Sequence, residues 1–242
     1  MREPRFFHPE LLCVGIETRM SESAGHHAAH VLRLKPGDHV TLFDGEGKDY
    51  LSRILSLSKS GVYIITETCS IPDRESPVMM ELAQGISAAD KMDFTLQKAV
   101  ELGVVKIVPL LTQRCLSKLD VEKATRRVSH WRQVVVSACE QCGRSIVPKV
   151  APIESLDSYL KTSSEEGVKF MLSPRSDHGF SSFLAPNNLS LLVGPEGGLT
   201  ETEEQKALRS GFVAVKLGPR ILRTETAALA ALSAINALWG DF

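Results

Sequence analysis

Apolar and polar positions follow two different rhythms along this chain. Over the first 70 or so residues the rhythm is short. "DHVTLFDG" (38–45) and "GVYIITETCS" (61–70) are rich in Val, Ile, Thr and aromatics and are set between Gly and Asp, which predicts short strands. "KPGD" (35–38) and "DGEGKD" (44–49) supply the turns. One helix, over about 23–34, is predicted to interrupt them. After "SIPDRESP" (70–77), which reads as a linker, the texture changes. "VMMELAQGI" is an apolar strand, and "AADKMDFTLQKAVELGV" is a helix with Met92, Leu96, Ala99 and Val100 on one face and Gly103 as its stop. "VKIVPLLT", "VKFMLSP" and "LSLLVGP" are further buried strands, and a long basic helix is predicted near 120–142. Apolar strands alternating with helices predict an α/β fold with a parallel sheet. The expected organisation is a small, mostly β module over 1–72 and an α/β domain over 73–242.

Two breaks in this pattern carry chemistry. "LLVGPEGGLTETE" (191–203) runs from an apolar strand into a turn of three glycines and one proline. Thr200 with Glu203 three residues later is a capping box. The loop therefore sits at the carboxyl end of a strand and feeds a helix, where open α/β sheets bind ligands. A phosphate loop needs G-x-x-x-x-G-K-[ST], and a dinucleotide loop needs G-x-G-x-x-G. Neither is present, and Glu196 and Glu201 would repel phosphate. "VKLGPRILRTETAALAAL" (215–232) repeats the logic, with Gly218-Pro219 in the turn, Arg220 and Arg223 beside them, and Thr224 or Thr226 as N-cap. Two Gly-Pro loops at strand ends, one acidic and one basic, can form the two walls of one pocket. A zwitterionic ligand without phosphate suits that pocket.

Composition adds limits. Hydrophobic content of 43% and charged content of 24% are ordinary for a globular protein, and 242 residues give one large or two modest domains. The N-terminus lacks the apolar core of a signal peptide, and no apolar run reaches the roughly 20 residues of a membrane span. The expectation is no membrane association. Five scattered cysteines fit a reducing, cytoplasmic setting. The net charge is −1, yet residues 106–149 hold nine Lys and Arg against three Asp and Glu. Such a block reads either as a site for an anionic partner or as a solvated helix face, and Arg114, Arg126, Arg127 and Arg132 are its candidate contacts with a polyanion such as a nucleic acid. Arg5 in "PRFF" is another.

His26, His27 and His30 form H-H-x-x-H without the Glu of a zincin or a third ligand, so no metal is expected. Cys139 and Cys142 lie inside a predicted helix with no second pair. The uncharged stretch 226–240 is too short to span a bilayer and reads either as a buried helix or as a dimer interface.

The chain resembles the SPOUT-class methyltransferases, and closely the RsmE family of ribosomal RNA uridine-N3 methyltransferases. The resemblance covers nearly the full length and rests on "PRFF", "HVLRLKPGD", "LFDG", "DRESP", "KMDFTLQKAVELGV", "ACEQCGR", "LLVGPEGGL" and "LGPRILRTETAALAAL". It implies an N-terminal PUA-like β-barrel that binds RNA and a C-terminal domain tied in a deep trefoil knot. It also implies S-adenosylmethionine as cofactor, a homodimer, and 16S ribosomal RNA or the small ribosomal subunit as partner. On this resemblance Leu172, Gly194, Gly198, Leu217, Gly218, Leu222 and Thr224 hold the cofactor.

Uridine N3 lies on the Watson–Crick edge, so the base must be unpaired or flipped out. N3 must also lose its proton before it can attack. An arginine near O2 or O4 would stabilise the anion as an oxyanion donor does, with Arg223 and Arg144 as candidates and Glu225 as a candidate base. The competing readings are ribose 2′-O methylation by an enzyme of the same class and a non-catalytic RNA-binding protein.

Overall fold

The computed structural model describes residues 3–115, 120–163 and 166–242. The chain divides into two compact units, Met1–Glu75 with Cys139–Val147, and Ser76–Ala138 with Pro148–Phe242. A single cut after residue 72 is therefore too simple, because a later segment groups with the first unit.

In the first unit, β1 (Arg5–Phe7) and β2 (Glu17–Arg19) precede α1 (Glu22–His26), then β3 (His39–Phe43), β4 (Asp49–Ser58) and β5 (Gly61–Ser70). The five strands form one sheet in the order β1-β3-β4-β5-β2, parallel between β1 and β3 and antiparallel elsewhere. The pairings leave β1 and β2 as edges and close no ring among the described residues. The expected turn at 44–49 forms because Asp44 Oδ1 accepts from the N–H groups of Glu46 and Lys48. The helix starts earlier than expected, capped by Ser21, and passes into a π-helical turn, His27–Val31. It stops before Arg33, whose φ of 54° is left-handed and ends any right-handed helix. Phe6, Val40, Leu42, Ile54 and Ile64 fill the core of this unit.

The second unit alternates strands and helices: β6 (Met79–Gly85), α2 (Ala89–Glu101), β7 (Val104–Leu111), α3 (Val121–Cys142, whose residues from Cys139 on group with the first unit), β8 (Lys149–Val150), β9 (Glu154–Ser155), α4 (Leu156–Thr162), β10 (Val168–Leu172), β11 (Asn188–Val193), α5 (Glu201–Arg209), β12 (Val213–Val215) and α6 (Thr224–Trp239). The sheet is parallel throughout, in the order β12-β10-β11-β6-β7-β8, with β9 also on β7. Both faces are covered, as all-parallel sheets require. On one, Ala83, Val108, Leu156, Tyr159, Met171 and Phe212 cluster. Met92, Leu96, Ala99 and Val100 of α2 are fully buried, as the helical period predicted. Helix α6 contacts α2 and buries Ala228, Ala231, Leu232 and Ile235. No helix among the described residues is long and apolar enough to cross a membrane.

Candidate active site

Strands β10, β11 and β12 end side by side at Leu172, Val193 and Val215. Beyond these carboxyl ends lies a cavity of about 490 Å³, within the roughly 300–1,000 Å³ of small-molecule sites. The seven residues expected to hold a cofactor, Leu172, Gly194, Gly198, Leu217, Gly218, Leu222 and Thr224, all line it. The structure thus brings the two Gly-Pro loops together as opposing walls.

Backbone geometry explains the glycines. A Cβ on Gly194 would lie 2.9 Å from the Leu199 nitrogen, so the first loop closes on itself only without a side chain. Gly218 holds φ at +78° with open space where a Cβ would project. That conformation costs other residues about 1–2 kcal/mol.

The loops are fixed by side chains that reach them from other elements. Gln84, fully buried at the end of β6, donates from Nε2 to Gly85 O (3.0 Å), to Thr224 Oγ1 (3.0 Å) and at longer range to Gly194 O (3.4 Å). Thr224 Oγ1 donates in turn to Gly194 O at 2.6 Å. Thr224 is therefore not an N-cap. It is the first residue of α6, Arg223 occupies the cap position without a side-chain bond, and the Thr224 hydroxyl ties one loop to the other. The capping box of α5 forms as read, and Glu203 also accepts from Gln113 N at 2.8 Å, which fixes the loop after β7. Glu196 Oε1 accepts from Ala88 N at 2.8 Å. Ala88 is the N-cap of α2 and has no capping side chain of its own. Glu196 thus fastens its loop to a helix start, which explains a carboxylate in the middle of a glycine turn.

The charged wall residues have distinct partners. Arg114, expected to meet RNA, instead donates from Nη1 to Gly197 O (2.8 Å) and Leu199 O (3.4 Å), bracing the loop from outside. Arg175 pairs with Glu204 at 2.6 Å, and Lys216 reaches Asp177 at 3.7 Å. Arg220 lines the cavity and is exposed, with no partner among the described residues. Arg223 is also exposed and unpartnered, but it does not line the cavity. Glu225, in the first turn of α6, is half-buried with Oε2 unpaired and is likewise off the cavity wall.

Arg5, expected to touch RNA, and Arg144, expected to stabilise the uracil anion, are instead buried in ion pairs. Arg5 is 9% exposed, and its fork grips Asp49 through Nη1 to Oδ2 (2.6 Å) and Nη2 to Oδ1 (2.8 Å), with Ser145 alongside. A guanidinium so enclosed cannot meet RNA. Burial alone would raise the Asp49 pKa, but hydrogen bonds from Arg5 and Ser145, with the charges of Arg5 and Arg74, hold it below the ordinary value. Arg144 is 4% exposed and faces the Glu75 carboxylate through Nε and Nη2. It belongs to the first unit and not to the cavity wall, so its charge is committed to an ion pair. Nearby, burial pushes the Cys139 thiol up to about 12, which leaves it protonated and inert at neutral pH.

On α3, Val128, Trp131 and Val135 face inward. Arg126 is exposed beside Glu122 (3.2 Å), Arg127 is half-buried, and Arg132 donates to Val150 O at 3.3 Å.

The cavity suits the expected cofactor. Its walls are strand ends, glycine backbone and apolar side chains such as Leu172 and Leu222, with three carboxylates, Glu196, Glu201 and Glu204, and four cations, Arg114, Arg175, Lys216 and Arg220, among them. Such mixed charge fits a zwitterion that carries an amine, a carboxylate and a sulfonium.

Known proteins agree with this geometry. Residues 74–236 match the RNA methyltransferase domain family, and residues 21–67 match the RNA methyltransferase PUA domain. The ribosomal RNA small subunit methyltransferase E of Buchnera aphidicola is 35% identical, over 99% of this chain and 98% of that protein. Its counterpart in Bacillus subtilis is 34% identical over 87% and 86%. Among solved structures, the Neisseria gonorrhoeae ribosomal RNA small subunit methyltransferase E bound to S-adenosyl methionine is 43% identical, with a TM-score of 0.94 and full coverage of both chains. A Legionella pneumophila methyltransferase in complex with the bound cofactor SAM reaches 0.96 at 36% identity, again over both full chains. With both units matched and the cavity built from the most specific motifs, the chain belongs to the ribosomal RNA small subunit methyltransferase E family of RNA methyltransferases.

Proposed function

We propose that this protein methylates N3 of a uridine in 16S ribosomal RNA, using S-adenosylmethionine held between the two Gly-Pro loops. The observation that carries the reading is the cavity at the ends of β10, β11 and β12, lined by all seven expected cofactor residues. It is supported by family membership and by two full-length structural relatives solved with that cofactor.

When bound, the cofactor supplies an electrophilic methyl group on a sulfonium. The chain's own residues set the stage for its use. Gln84 and Thr224 hold Gly194 in place, and Arg114 and Glu196 hold the rest of the loop. A fixed wall would limit the positions open to cofactor and nucleotide, and holding two reactants ready to meet removes part of the entropic barrier to their reaction. The uridine must give up its N3 proton, and the resulting charge spreads to O2 and O4. Arg223, exposed on the 217–223 turn and without a partner among the described residues, is the candidate donor for that charge. Glu225, with an unpaired carboxylate oxygen, remains the candidate base.

The finer architecture follows the same reading. The 217–224 turn would belong to a deep trefoil knot, and α6 would pair with a second copy. The exposed Leu238 beside the buried face of α6 supports that pairing. The first unit and the α3 arginines would grip RNA, and the enzyme would work in the cytoplasm beside its ribosomal substrate. Calorimetric titration with S-adenosylmethionine tests the core of the reading. One site per chain is expected, and absence of binding would return the protein to the class of non-catalytic RNA binders.

A further inference from the structure

Four cations line the cavity, and their partners separate them. Arg114 is held by the Gly197 and Leu199 carbonyls, Arg175 by Glu204 and Lys216 by Asp177. Arg220 alone among the described wall cations has no hydrogen bond, ion pair or ring contact. Its neighbour Ile221 also lines the cavity and is 87% exposed. A guanidinium beside an uncovered aliphatic side chain, both on the rim of a cofactor cavity, is a surface without an internal partner. Burying Ile221 needs an incoming apolar face, and Arg220 needs an anionic oxygen. A flipped-out nucleotide offers both together.

We propose that Arg220 is the cation that meets the RNA substrate at the cavity mouth, taking an anionic oxygen of the target nucleotide while the base lies against Ile221. The inference rests on the methyltransferase reading and extends it to a residue that sequence reasoning passed over in favour of Arg223. The anionic oxygen has two sources in one nucleotide, the deprotonated uracil and the flanking phosphate. The shared requirement is the charged planar fork, which lysine supplies only in part.

The experiment uses the full chain, wild type, Arg220→Ala and Arg220→Lys, with small-subunit RNA. S-adenosylmethionine affinity is measured by calorimetry, and methyl transfer by single turnover at saturating cofactor and by KM at several salt concentrations. Cofactor affinity is expected to stay within about twofold. A fall in single-turnover rate of about a hundredfold, partly recovered by Arg220→Lys, identifies the uracil oxygen. A rise in KM with a flatter salt dependence at unchanged rate identifies the phosphate. Either result supports the inference. Unchanged rate and KM in Arg220→Ala overturn it, as does a loss of cofactor affinity that accounts for the whole loss of activity. A wild-type protein that neither binds cofactor nor transfers methyl would overturn the methyltransferase reading and this inference with it.

Discussion

Replacing Thr224 by valine removes one hydroxyl and preserves shape. That hydroxyl donates to Gly194 O at 2.6 Å and accepts from Gln84 Nε2 at 3.0 Å, in a site that is 7% exposed. Each such bond contributes about 0.5–1.5 kcal/mol net. Gly194 O keeps a weaker donor in Gln84 at 3.4 Å, and Gln84 keeps Gly85 O. The loss of stability should therefore be about 2 kcal/mol, which lowers Tm by about 4–8 °C at this size. The same bond fixes a loop on the cavity wall. If binding must restore that loop at a cost near 1.4 kcal/mol, cofactor Kd rises about tenfold. Thr224→Ser keeps the hydroxyl and loses only a methyl group. It should cost about 1 kcal/mol of stability and leave Kd near the wild-type value. Thermal melts and calorimetry on the three proteins decide the matter. An unchanged Kd in Thr224→Val, or equal losses of affinity in the serine and valine variants, would refute the role assigned to this hydroxyl.

Other expectations follow from the same geometry. Gly218→Ala should lower Tm by a few degrees, because φ of +78° costs a Cβ about 1–2 kcal/mol, and should weaken cofactor binding; an unperturbed melt would contradict the strained turn. Asp49 has a depressed folded pKa, so its contribution is present above the unfolded value of about 3.9 and is lost as pH falls through the folded value. Asp49→Asn, which leaves Arg5 buried beside a neutral partner, should cost about 3–5 kcal/mol at neutral pH and remove that part of the acid transition; a pH–stability curve equal to wild type would show the ion pair to be inert. Replacing Arg126, Arg127 and Arg132 together with alanine should reduce the log–log salt slope of RNA binding by about 0.7 for each phosphate no longer neutralised; an unaltered slope would mean that α3 does not touch the backbone of the RNA.

Much of this architecture was legible because its signals are local. The buried face of α2 follows from the spacing of Met92, Leu96, Ala99 and Val100, and the start of α5 from Thr200 and Glu203. The cavity was legible as two strand–turn–helix motifs, since strand ends and glycine turns are written in contiguous residues. The remainder depends on partners distant in sequence. Arg5 and Arg144 look like free cations until Asp49 and Glu75 are found beside them. The grouping of Cys139–Val147 with the first unit is a property of the folded chain, and no composition shift marks it. Which of Arg220 and Arg223 faces the cavity is set by the path of an irregular turn, where no period constrains side-chain direction. Gln84 had a faint signal, an amide at the end of an otherwise apolar buried strand, where an unmade hydrogen bond would be costly.

The proposed reaction transfers a methyl group to N3 of a small-subunit ribosomal uridine from a cofactor held between the two loops. The direct measurement incubates the purified chain and S-adenosylmethionine carrying a labelled methyl group with small subunits from a strain lacking the modification, and identifies the labelled nucleoside by mass spectrometry after complete digestion. Label is expected in 3-methyluridine alone, lost in Thr224→Val in proportion to cofactor occupancy. Label in a ribose 2′-O-methyl nucleoside, or none in RNA from any small-subunit preparation, would contradict the proposed reaction.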